Sequence, residues 1–166
     1  MLKLTAPAMA QDCDGLAHAL ADYARIKPAD GIAPLLPFLP QRLLQQMAAE
    51  RGQSLPELLL DMAAPPPEPL RISIEIAPMD PDSAQWHKAT GGDDYALLPM
   101  QTVVTGAQGT CTTQTTAIAF DEGRNWRILD IGDDVNRANF LTLYPQFAGM
   151  PAPHSTMLCD PPQEEP

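Results

Sequence analysis

Pro65-Pro66-Pro67-Glu68-Pro69-Leu70-Arg71-Ile72-Ser73-Ile74-Glu75-Ile76 divides the chain into two kinds of structure. The prolines fix φ and remove backbone donors, so they stop helix formation and impose an extended connector. Beyond them Leu70, Ile72, Ile74 and Ile76 alternate with Arg71, Ser73 and Glu75. A period of two places the apolar set on one face of a strand.

On the N-terminal side the period is that of a helix. Leu16, Ala19, Leu20, Tyr23 and Ile26 recur at steps of three and four, with Asp14 as the expected N-cap and Lys27-Pro28 as the stop. Ile32 to Pro40 interleaves prolines with leucines and a phenylalanine and reads as an apolar, turn-rich connector. Pro40 opens a second helix with Leu43, Leu44 and Met47 on one face, ended by Gly52. Ser54-Leu55-Pro56-Glu57 is a capping box that starts a third, with Leu55, Leu58, Leu59 and Met62 as its stripe.

On the C-terminal side, Ser83 to Thr90 is expected to make one helical turn before Gly91-Gly92. Tyr95 to Thr105, Thr110 to Phe120 and Arg124 to Ile131 then follow, separated by Gly106-Ala107-Gln108-Gly109 and Asp121-Glu122-Gly123. These form an antiparallel meander. Pro99 cannot donate to a ladder, so its strand should start late or lie at an edge. Asp133 or Asp134 caps a last helix ended by Pro145, and residues 145–166 read as a proline-rich tail. The domain plan is a short N-terminus over 1–11, a single domain over 12–144, and that tail.

Helices first and a meander after make an α+β fold, with N-terminal helices packed on a curved antiparallel sheet. In layout it resembles the NTF2-like superfamily of cone-shaped α+β domains, most closely over Phe120-Asp121-Glu122-Gly123-Arg124-Asn125-Trp126-Arg127-Ile128-Leu129-Asp130. The late helix and the tail depart from that plan. The resemblance implies either a non-catalytic binding domain or an isomerase or lyase with a carboxylate base inside the cone.

The 166 residues carry 10 Lys plus Arg against 21 Asp plus Glu, a net charge of −11. Such a field repels phosphate backbones and anionic lipid, which disfavours nucleic acid, and no stretch has the roughly 20 apolar residues of a membrane span. Cys13, Cys111 and Cys159 lie too far apart for a zinc knuckle or a CxxC pair, and they read as ordinary thiols with at most one disulfide. Ala8-Met9-Ala10 has the form of a signal-peptidase site, but Met1 to Pro7 lacks the apolar region that should precede it. The expected compartment is therefore the cytoplasm, with the periplasm as the alternative if an upstream signal region is missing.

Three constellations carry chemistry worth testing. Asp14, His18 and Asp22 share one helical face, where carboxylates could orient an imidazole. Asp93, Asp94 and Tyr95 pair a carboxylate with a phenol, the groups that abstract a proton beside a carbonyl and support the enolate. Asp130, Asp133 and Asp134 offer oxygen ligands without the spacing of a calcium loop, and helix capping accounts for one of them. No nucleotide, flavin or metal motif is present in the sequence, so no cofactor is expected. Trp86 and Trp126 read as core.

Three function classes follow. The first is a non-catalytic binding or interaction domain. The second is a small-molecule isomerase or lyase using Asp94, Tyr95 or His18. The third is an acidic inhibitor or immunity-type protein that occludes a basic partner. The expected ligand is small and apolar, or else a basic protein. A homodimer is also expected, because Gln101, Thr102, Thr105, Thr110, Thr112, Thr113, Gln114, Thr115 and Thr116 leave two neighbouring strands free of charge. On this reading the strand Thr110 to Phe120 has one side of Cys111, Thr113, Thr115, Ala117 and Ala119 and another of Thr112, Gln114, Thr116, Ile118 and Phe120. One of the two covers the chain's own helices while the other faces the partner.

Overall fold

The computed structural model describes residues 9–26, 33–64 and 73–160, with side chains from Cys13 onward. The proline connector at 65–69, the strand residues 70–72, the Asp30-Gly31 turn and the last residues, 161–166, lie outside them. Helix α1 spans Met9–Ala24, α2 Gln41–Glu50 and α3 Leu55–Ala63. Six strands follow: β1 Ser73–Ile76, β2 Gln85–Lys88, β3 Asp94–Gly106, β4 Gly109–Asp121, β5 Trp126–Asp130 and, after helix α4 at Asp134–Leu143, β6 Thr156–Asp160. The fold is α+β, with N-terminal helices and a curled antiparallel sheet of six strands.

Local chemistry sets the element ends. The capping box forms as the sequence requires: Ser54 Oγ accepts from the Glu57 amide, and the Glu57 carboxylate accepts from the Ser54 amide at 2.7 Å. Two hydrogen bonds to that carboxylate hold the Glu57 pKa below its ordinary value. Asp133 caps α4 by accepting from the amides of Val135 and Asn136 at 2.8 and 3.0 Å. Asp14 is not a cap, because α1 already runs from Met9 through the good helix formers Met9, Ala10 and Gln11. The turn expected at 83–90 is a 3-10 turn at Pro81–Ser83 followed by strand β2. There Trp86 and His87 pair with Ala96 and Tyr95, cross-strand partners that favour extended backbone over a helical turn.

The long hairpin β3–β4 is the axis of the sheet, closed by Ala107-Gln108 between the paired Gly106 and Gly109. Each of its outer edges is shared by two short strands. Outside β3, β2 covers Asp94 to Leu97 and β1 covers Thr102 to Thr105; outside β4, β5 covers Ala117 to Asp121 and β6 covers Thr110 to Gln114. This division explains Pro99, which sits in the middle of β3 and not at its start. It pairs with Thr116 on β4, while the side where its N–H would point falls in the gap between β2 and β1.

The two halves of the hairpin differ in cover. In the half carrying β2 and β5, both faces are buried. Ala96, Leu98, Met100, Ala117, Ala119 and Ile128 pack with Leu16 and Leu20 of α1. On the other face Tyr95, Leu97, Ile118 and Phe120 pack with Phe140 and Tyr144 of the α4 region and with Phe147 and Met150 beyond it. Each fully buried leucine or isoleucine adds about 1.5–3 kcal/mol. The late helix therefore covers the second face. Since Ala117 and Ala119 on one side of β4 and Ile118 and Phe120 on the other all lie in the chain's own core, this half leaves neither side for the expected dimer partner. Helices α2 and α3 bury Leu44, Ala48 and Leu58 against each other as a satellite cluster.

The segment read as a tail is packed as far as Met150 and then joins the sheet through β6. Phe147 and Met150 are 3% and 4% exposed, and Thr156–Asp160 pairs with Gln114–Thr110. Phenylalanine and methionine side chains burying this fully offset the ordering cost that proline composition alone suggested would win. A disulfide joins Cys111 to Cys159 across that pairing. Two of the three cysteines are therefore bonded, and only Cys13 is free and exposed.

Candidate functional site

The three sequence constellations are not brought together. Asp94 opens β3 and forms an ion pair with Lys88 at 2.7 Å. With Asp93, Asp121, Arg124 and Trp126 it lines an open cavity of about 420 Å³. Tyr95, the next residue along the strand, points to the opposite face, where it is 2% exposed, stacks on His87 and meets Phe147 edge-on. Burial raises its pKa. Alternation along a strand thus separates the carboxylate from the phenol that an enolate chemistry would need beside it. His18 is exposed on α1, and its Nδ1–H donates to the backbone carbonyl of Asp14 at 2.8 Å, not to a carboxylate. Asp22 pairs instead with Arg25 at 2.9 Å.

Two of the three aspartates of the third constellation serve the backbone. Asp130 accepts from the Gly132 amide at 2.8 Å and Asp133 caps α4. Among the described residues no group of three or more His, Cys, Asp or Glu is arranged to hold a metal ion. Among the described residues, no helix is long and apolar enough to cross a membrane. Trp86 and Trp126 are partly buried and meet edge-on at 6.0 Å against the α1 cluster.

Two features escaped sequence reading. The first is a polar hub at Glu122, at the head of the β4–β5 turn, where Gly123 and Arg124 take φ of 66° and 70°. Its carboxylate accepts from Arg127 Nε at 3.1 Å, from the Gln41 amide at 2.7 Å and from the Tyr144 phenol at 2.7 Å. The Arg42 amide donates to the same phenol at 3.0 Å, and the Arg42 guanidinium lies 5.1 Å above its ring. Pro40 gives α2 no side-chain cap, so Glu122 neutralises that helix start from a distant turn. Burial, together with the Glu122 carboxylate, pushes the Tyr144 pKa far above the ordinary phenol value.

The second is the half of the hairpin in which no residue is fully buried, a ribbon of β1, Thr102 to Thr105 of β3, Thr110 to Gln114 of β4 and β6. Matching residues across the ladder place Ile74, Ile76, Thr102, Val104, Thr113 and Met157 on one face with the disulfide. Every residue of β6 is exposed; Met157 and Leu158 show 68% and 74% of their surface. The strap that leads into β6 roofs a groove of about 350 Å³ between Pro151–His154 and Leu97, Pro99, Gln114 and Thr116.

No protein-family profile, curated protein or solved structure matches the chain.

Proposed function

We propose that this chain is a non-catalytic interaction domain of NTF2-like layout, and that its working surface is the β6 side of the ribbon. One observation carries the reading: a disulfide holds in place a strand whose five residues are all exposed. An edge strand with free backbone groups and large apolar side chains is the template for strand addition by a partner, and evolved monomers ordinarily blunt it. Separation of Asp94, Tyr95 and His18 supports the same reading over the isomerase or lyase alternative. Few carboxylates stand on the ribbon, which favours it over an acidic inhibitor of a basic protein. The disulfide also supports an oxidising compartment, such as the periplasm, over the cytoplasm.

Site-specific photocrosslinking in the expressing cell tests this. A photoreactive residue in place of Leu158 should give a discrete adduct, with itself or another protein. The same residue in place of Leu60, which is 73% exposed on α3, should not. Adducts at neither position, or equally at both, would defeat the proposal.

A further inference from the structure

The geometry points to a second copy of this chain as the occupant of the β6 edge, through antiparallel pairing of β6 with its two-fold mate; this rests on the interaction-domain reading above. The first ground is charge. The chain carries −11 overall, so two copies repel through most of their surface. Thr156, Met157, Leu158 and Cys159 form an uncharged strip, and the β4 residues behind them, Thr110 to Gln114, are uncharged as well. Among the described residues of that strip a basic partner would find one carboxylate, Asp160.

The second ground is self-complementarity. A two-fold axis perpendicular to a sheet keeps each residue on its own face, so a β6 pair centred on Leu158 sets Leu158 against its mate. Met157 then falls beside the mate's Cys159 on the opposite face, next to the disulfide. Asp160 stands opposite Thr156, so no carboxylate meets another. The most exposed apolar residue of the strand becomes the centre of the interface, and the two six-stranded sheets join into one.

Sedimentation of the oxidised full-length protein at micromolar concentration and moderate salt is the test, combined with hydrogen exchange. The average mass should rise with concentration from 18.0 kDa toward twice that value and stop there. Leu158→Lys, at an exposed position that does not threaten folding, should weaken association at least about tenfold, since an edge lysine blocks strand addition. Leu60→Lys should leave it unchanged. Protection of the Met157 and Cys159 amides, which face away from β4, should grow with concentration. A mass fixed at 18.0 kDa, growth beyond the dimer, equal weakening by both lysines, or protection gained elsewhere would each overturn the inference. A monomer that still crosslinks at position 158 to a different protein overturns the second copy alone. Failure of the crosslink removes the interaction reading as well.

Discussion

The phenol of Tyr144, at the end of α4, donates to the carboxylate of Glu122, in the β4–β5 turn, at 2.7 Å. That single contact ties together three segments, because Glu122 also receives the first amide of α2.

Tyr144→Phe should cost about 1–3 kcal/mol, since it removes the donor to Glu122 and the acceptor for the Arg42 amide at a buried phenol. Thermal unfolding at neutral pH measures it. An unchanged melting temperature would mean that water replaces both partners.

All three tyrosines have pKa values raised in the folded state, by burial first and then, for Tyr23, by the negative charge of Asp130. Such a phenol keeps its proton in the native state when the unfolded chain has lost it. Its contribution is therefore present below the unfolded value of about 10 and is lost as pH rises above it. Stability should fall between about pH 10 and pH 12. The slope should be shallower in Tyr144→Phe than in the native protein, and equal slopes would contradict the assignment.

Gly15 lies where a β-carbon would come 2.7 Å from Trp126 Nε1. Gly15→Ala gains up to about 1 kcal/mol of helix propensity but must displace an indole wedged against Trp86, at about 1–3 kcal/mol. Net destabilisation with altered tryptophan fluorescence is expected. A stabilised variant with native fluorescence would show that the contact yields freely.

Replacing both Cys111 and Cys159 by serine opens a loop of 48 residues. The chain-entropy relation puts the loss at about 4 kcal/mol. Limited proteolysis should then cut between Met150 and Asp160 while the core survives, whereas the oxidised native protein resists there. Equal resistance would place the hold on β6 in its ladder alone.

Asp94→Asn and His18→Ala should each change stability by less than about 1 kcal/mol, because one partners an exposed lysine and the other bonds only its own helix. Chemical denaturation resolves such differences. A loss several times larger, or loss of turnover of a carbonyl substrate, would revive the isomerase or lyase alternative.

What the sequence could reveal was periodic or local. The Ser54/Glu57 box, the Asp133 cap and the β3–β4 meander are written in spacings of two to four residues, and the structure reproduces them. Pro99 misled because its placement depends on where two other strands end. His87 and Trp86 misled because β2 exists only once Tyr95 and Ala96 are beside it. The Glu122 hub joins residues 22 and 81 positions apart, and no local pattern marks a carboxylate destined for a distant helix start. Of the candidate site, the residues were visible but not their directions. Asp94 and Tyr95 are adjacent in the chain and therefore on opposite faces of a strand.

The Cys111–Cys159 bond also acts as a test of alignment. Thr110–Gln114 must match Asp160–Thr156 for the two sulfurs to share a face. A slip of one residue would turn Cys159 to the far side of the sheet, out of reach. Oxidation to the native pair therefore seals only correctly registered molecules, and the bond works as a proofreader of the last strand laid down.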